Sequence, residues 1–254
     1  MKRNTAALIT LSGTLLLLHT SVFADTYMKH IRRTDPFTMM GQSQPGKSET
    51  IEIWLGDKAA RTDNEDATST LVVFADEKIF IIKHAERSYV EMPLNLEKII
   101  DEVGSAAPEN QQKEDQTTAM RNMMSAMMQF KVSLKDTGEQ QKIGDWQTRK
   151  YIMTTTTGMG TNTSEIWATE DLQADMSAYW QAVNGMRAGQ SGYAEMMQEM
   201  AKIRGVVVQT VNRSQVMGAE VKSTDKLIEF ATQAAPAGTY AIPAGYTKEQ
   251  LFKQ

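Results

Sequence analysis

The sequence predicts an α+β protein: a long, curved antiparallel sheet interrupted by amphipathic helices. Three observations carry this. Between Ile51 and Pro93, short alternating runs are joined by tight polar turns, which is the pattern of neighbouring antiparallel strands. Further alternating runs follow after residue 130, and apolar stripes at helical spacing separate the two groups. No repeat of fixed period and no clear linker divides the chain, so a single domain is expected.

Ile51, Ile53 and Leu55 alternate with Glu52, Trp54 and Gly56, giving the first strand two different faces. Strands then follow at Lys58 to Asp63, Thr70 to Phe74, Ile79 to Ile82 and Tyr89 to Met92, broken at Asn64-Glu65-Asp66, Asp76-Glu77-Lys78 and Ala85-Glu86-Arg87. This meander reads as one wall of a curved sheet. Residues 25–50 read as polar and irregular, with Tyr27, Ile31 and Phe37 available for burial on a first helix or strand.

Leu96, Ile99, Ile100 and Val103 predict a short amphipathic helix with Asn95 as its N-cap, and 104–116 a polar, mobile loop. Thr117 to Met128 repeats the helical template with Met120, Met123, Met124, Met127 and Met128. Strands resume at Phe130 to Leu134, end in a turn at Asp136-Thr137-Gly138, and continue through Gln141 to Ile143, Trp146 to Thr156 and Ser164 to Ala168. Met176, Tyr179, Trp180 and Val183 mark another helix; Tyr193, Met196, Met197 and Met200 mark the next. The last strands are expected at Gly205 to Val211, Gln215 to Lys222 and Lys226 to Phe230, before Ile242-Pro243-Ala244-Gly245-Tyr246 closes the domain.

Residues 1–24 read as a cleavable signal peptide: Lys2 and Arg3, an apolar run from Ala6 to Leu18, and a cleavage site after Ala24. That run is shorter than the ~20 residues of a membrane span. The domain is therefore expected over 25–254, in a soluble periplasmic protein. There is no cysteine, which excludes disulfides, thiolate metal sites and a lipoprotein anchor. Removing Lys2 and Arg3 leaves 25 basic against 31 acidic residues and takes the net charge from -4 to -6, which argues against nucleic acid as a partner. The one basic run, Lys29-His30-Ile31-Arg32-Arg33, reads as a solvated surface.

Several segments together resemble a family of exported bacterial proteins known mainly as a domain of unknown function. These are Arg87-Ser88-Tyr89-Val90-Glu91-Met92-Pro93, Ile143-Gly144-Asp145-Trp146-Gln147-Thr148-Arg149-Lys150-Tyr151, Glu165-Ile166-Trp167-Ala168-Thr169-Glu170-Asp171-Leu172 and Ile242-Pro243-Ala244-Gly245-Tyr246. The wider group is similar to the LolA, LolB and LppX carriers of lipids and acylated proteins. The resemblance implies an unclosed half-barrel of antiparallel strands, with helices covering the open side and an apolar cavity between. It brings no catalytic motif.

Nor do the residues themselves nominate an enzyme. Only His30 and His84 survive cleavage, no phosphate loop or metal-spaced histidine pair is present, and carboxylate pairs such as Glu65-Asp66 fall in turns. The methionines are the unusual feature, 18 against seven phenylalanines. Core packing accounts for their helical stripes. An adaptable lining for a lipid or other hydrophobic small molecule is the second reading. A Cu(I) or redox-stress site using Met120, Met123, Met124 and Met127 as thioether ligands is the third.

The preferred expectation is a non-enzymatic periplasmic carrier without a cofactor. Its apolar ligand would lie between the sheet and the Met-rich helices, lined by Trp54, Leu71, Val73, Phe80, Ile82, Trp167, Trp180, Met120, Met123, Met124, Met127, Met196, Met197 and Met200. Ile51 and Ile53 are candidates for core or cavity. A scaffold that meets a membrane or periplasmic protein partner is a further alternative.

Overall fold

The computed structural model describes residues 24–94, 130–157, 160–174, 193–216 and 219–250. The elements in chain order are β1 (Asp25–Thr34), β2 (Phe37–Met39), β3 (Gln42–Gln44), β4 (Lys47–Leu55), β5 (Ala59–Asn64), β6 (Thr68–Val73), β7 (Lys78–Lys83) and β8 (Ser88–Pro93). Then come β9 (Phe130–Ile143), β10 (Trp146–Thr157), β11 (Gly160–Thr169), α1 (Tyr193–Met200), β12 (Val206–Val216), β13 (Ala219–Gln233) and β14 (Thr247–Glu249).

Twelve strands form one open sheet, in the order β14-β8-β7-β6-β5-β4-β1-β13-β12-β11-β10-β9; β2 and β3 form a separate hairpin. Strands β4–β8 make one antiparallel meander and β9–β13 another. The N-terminal strand β1 joins them, pairing antiparallel with β4 on one side and β13 on the other. The terminal strand β14 is the exception in direction, lying parallel to β8.

The described chain is nearly all β rather than α+β, with the single short helix α1, and no array of amphipathic helices covers the sheet. The helices expected over 96–103, 117–128 and 176–183, and the loop over 104–116, lie outside the described residues. Residues 25–34, where a first helix or strand was open within an irregular stretch, form the strand that links the two meanders, with Tyr27 buried and Ile31 exposed.

The physical reason lies partly in how the strands absorb apparent breaks. Asp136-Thr137-Gly138 is a bulge inside the 14-residue β9 rather than a turn: Arg149 pairs with Gln140, and Tyr151 with Asp136. Gly138 takes φ +75°, and its N–H donates to Asp136 Oδ1 at 2.9 Å. Thr137 Oγ1 donates to the Lys150 carbonyl at 3.0 Å, holding the opposite strand against the bulge. A bulge keeps a strand in the sheet while bending it, so turn-forming residues stop marking a strand end. In β13 the expected break at 223–225 is absent, because Ser223, Thr224 and Asp225 pair in unbroken register with Thr34, Arg33 and Arg32, so the strand runs for 15 residues; its irregularity lies further on, opposite Lys29 and His30.

The basic run also finds partners once β1 is central. Lys29 Nζ lies 2.9 Å from Glu52, His30 Nδ1 2.7 Å from Asp225, and Arg32 pairs with both Asp225 (3.1 Å) and Glu49 (3.7 Å). The lysine and arginine pairs join neighbours in register across the strands, while His30, opposite Leu227, reaches Asp225 diagonally; Ile31, Arg32 and Arg33 are exposed, in keeping with the solvated surface expected.

Burial is divided among three clusters. Met28, Ile143, Trp167, Val208 and Leu227 form one, with Ile53, Trp146 and Phe230 against it. Ala59, Leu71 and Ile82 form the second, under Tyr240, Ile242 and Tyr246 from the C-terminal segment. Tyr151, Ile166 and Ala168 form the third, with Ile203 and Val207 beside them.

The turn between α1 and β12 depends on Gly205, at φ +80°, where an added Cβ would lie 1.9 Å from the Thr169 carbonyl oxygen. No side-chain rotation relieves a clash with backbone. Gly205→Ala is expected to cost roughly 2 kcal/mol or more, measured as a lower midpoint in urea unfolding. An unchanged midpoint would show that the turn is not held against β11 in solution.

Candidate functional site

Register assigns the expected lining residues to faces. Trp54 pairs with Arg61, Arg61 with Leu71, and Leu71 with Phe80, so Trp54, Leu71 and Phe80 form one cross-strand row. Val73 and Ile82 share that face, two residues along from Leu71 and Phe80. Ile53 points the other way, in register with Met28 on β1.

The first face is packed by protein. Leu71 is 2% exposed and Ile82 fully buried, and the C-terminal tyrosines and Ile242 lie over this cluster. Trp54 packs on Tyr27 with ring centroids 4.7 Å apart. The expected set Trp54, Leu71, Val73, Phe80 and Ile82 thus shares one face, with Leu71, Val73, Phe80 and Ile82 in the core beneath the C-terminal segment and Trp54 against Tyr27.

A polar network joins the same segment to the sheet. Ser69 Oγ donates its single proton to Asp63, and accepts from Arg61 Nη2 at 3.1 Å. His84 Nε2, 2.7 Å from Ser69 Oγ, must therefore be the donor in that contact. Nδ1 is then the acceptor for the Tyr246 hydroxyl at 2.9 Å. Arg61 Nη1 donates to the Thr239 carbonyl at 3.2 Å. The 3.5 Å approach of Arg61 Nη2 to His84 Nε2 sets donor against donor in this tautomer and is not a bond. A histidine that donates to a serine cannot take the serine's proton, so Ser69-His84 is arranged as a clasp.

The second face carries the cleft. About 450 Å³ lies between β1 and β4 on one side and α1 with the start of β12 on the other. Met28 and His30 come from β1, Ile53 from β4, and Val206 and Val207 from β12. Met197 and Met200 come from α1, followed by Ala201, Ile203 and Gly205; Ala174 adds one more apolar contact. Ligand pockets span roughly 300–1,000 Å³ and are mostly apolar with a few placed polar groups. This cleft fits that description, with His30 as its one titratable lining residue among the described residues.

The helix is placed by both its sequence and an edge contact. Met196, Met197 and Met200 fall on its half-buried side while Glu195 and Gln198 are exposed. Glu199 accepts the Leu134 N–H of edge strand β9 at 2.8 Å and pairs with Lys202 Nζ at 2.5 Å. That anchor sets two methionine side chains against the sheet face bearing Ile53.

His30 is held from outside the cleft. Its Nδ1 lies 2.7 Å from Asp225 Oδ1, while Arg32 Nε and Nη2 donate to Asp225 Oδ2 at 3.2 and 3.1 Å. Burial pushes the Asp225 carboxyl up, but the hydrogen bond from His30 and the charges of His30 and Arg32 outweigh it. The net effect holds Asp225 below the usual carboxylate range.

Of the expected site residues, Met197 and Met200 line the cleft. Met196 is half-buried beside them, and Trp167 lies in the cluster that contains Met28. Met120, Met123, Met124, Met127 and Trp180 lie outside the described residues, and the proposed thioether copper site goes with the first four. Sequence reasoning missed Met28, His30 and Asp225. The basic run containing His30 was visible, but its partner lies 195 residues away, and no local pattern signals such a pairing.

Residues 37–246 match the domain of unknown function DUF4412. The chain belongs to the DUF4412 family. No curated protein matches it. The DUF4412 match takes in Ile53, α1 and Asp225 but begins after β1, so Met28 and His30 lie outside it.

Two outcomes follow. Because the folded Asp225 pKa is depressed, its stabilisation is present above the unfolded carboxylate value and is lost as pH falls through the folded one. Below about pH 4, wild-type melting temperature should therefore drop more steeply than that of Asp225→Asn; parallel curves would contradict this. Separately, Tyr246→Phe should cost about 1 kcal/mol in chemical denaturation, whereas no loss would mean that the clasp is not formed.

Proposed function

We propose that this DUF4412 protein is an exported, non-enzymatic binding protein whose cleft holds the hydrocarbon part of an apolar or amphiphilic ligand. One observation carries the reading: the cleft of about 450 Å³ bounded by Met28 and Ile53 on the sheet and Met197 and Met200 on α1. Methionine is unbranched and polarizable, so such walls adapt to hydrocarbon chains of different shape. The likeness expected between the family's wider group and the LolA, LolB and LppX carriers points to the same class of ligand.

Export is part of the proposal. The apolar run before Ala24 has the form of a secretory leader, and β1 begins at Asp25, the residue after the expected cut. Removing residues 1–24 would leave the central strand whole. Among the described residues no helix is long and apolar enough to cross a membrane.

The test is displacement of a neutral fluorophore, phenylnaphthylamine, from the mature protein by lipids extracted from its native compartment. Ile53→Arg places a charge on the cleft wall and should weaken uptake about tenfold or more. Phe80→Leu, on the opposite face, should leave uptake unchanged. Binding lost with Phe80→Leu and kept with Ile53→Arg would move the ligand to the other face. Failure of wild type to take up any probe or lipid would mean that the cleft is filled in solution, and the reading would fall.

A further inference from the structure

His30 interrupts an otherwise apolar wall, and its surroundings specify the kind of ligand head it accepts. The His30 side chain is 15% exposed and that of Asp225 is 21% exposed. An ionised Asp225 has acceptors only, so the hydrogen in the 2.7 Å contact belongs to His30 Nδ1. A neutral imidazole protonated at Nδ1 carries its lone pair at Nε2. Among the described residues the hydrogen bond of His30 is the one from Nδ1, which leaves Nε2 available.

The neighbouring charges are already balanced. Arg32 is shared between Asp225 at 3.1 Å and Glu49 at 3.7 Å, and Lys47 lies 2.5 Å from Glu49. Two cations therefore face two carboxylates, with no unshared positive charge in this group for an anionic head.

The geometry points to a neutral, hydroxyl-bearing amphiphile, its hydrocarbon chain against Met28, Ile53, Met197 and Met200 and its hydroxyl donating to His30 Nε2. This rests on the cleft reading above and narrows it to a ligand class. A carboxylate head would bring acceptors to a lone pair and lose hydration without gaining a free cation.

The experiment compares dodecanol, laurate and dodecane as competitors for phenylnaphthylamine at about pH 8, where laurate is ionised. Wild type should bind dodecanol about tenfold more tightly than laurate, the effect of one well-placed hydrogen bond and an avoided charge mismatch. His30→Phe removes the acceptor while keeping a ring, and should erase that preference. Asp225→Asn removes the carboxylate that fixes the proton on Nδ1 and releases Arg32, so laurate should gain on dodecanol. Dodecane, which has no head, should compete equally in all three proteins, separating loss of the acceptor from loss of fold. Equal binding of dodecanol and laurate by wild type, or a preference that survives His30→Phe, overturns the head assignment and leaves the cleft reading standing. Absence of displacement by all three overturns both.

Discussion

The double pairing of β1 is the constraint on which the rest of the molecule depends. Each meander closes its own local hydrogen bonds, but the two become one sheet through a strand hydrogen-bonded on both edges. Central strands leave no backbone donor or acceptor to water along their length, so losing one exposes two new edges at once. The same strand brings Met28 opposite both Ile53 and Phe230, and His30 within reach of Asp225. Sheet continuity and the candidate site therefore rest on the same residues.

The two faces of the β4–β8 meander are used differently. One is closed by the chain itself: Tyr240, Ile242 and Tyr246 cover Leu71 and Ile82, and the His84-Ser69-Arg61 network ties that cover down. The other meets α1 across the cleft. Burying polar groups is costly unless each finds a partner, and the clasp meets that condition by giving Ser69 one proton to donate and two to accept. On the cleft side, the oriented imidazole edge of His30 is paired at Nδ1 alone among the described residues. This contrast makes the Ile53 face the stronger candidate for an outside ligand.

Much of the meander was legible because its signals are local. The alternation from Ile51 to Leu55 and the polar breaks at Asp76-Glu77 and Ala85-Glu86-Arg87 correspond closely to β4, β7 and β8. The break logic failed at Asp136-Thr137-Gly138, where partners on β10 turn a reversal signal into a bulge. Lys29 to Arg33 is exposed over Ile31 to Arg33, as its composition implies, but its partners Glu52, Glu49 and Asp225 come from strands that only the fold places beside it. The site was half-legible: helical spacing singled out Met197 and Met200, while alternation identified a Trp54-Leu71-Phe80 face without saying what would cover it.

By itself the sequence determined the period of each strand, the position of most hairpin turns and the apolar side of α1, since these depend on residues a few positions apart. The tertiary structure decided which face was sealed and which was left with a cleft. It also decided that β1 would be central and that His30 would meet Asp225. Those outcomes depend on register between segments far apart in the chain, where a shift of one residue exchanges the two faces of a strand. No local pattern carries that information, because the energy that selects the register arises only when the distant strands pair.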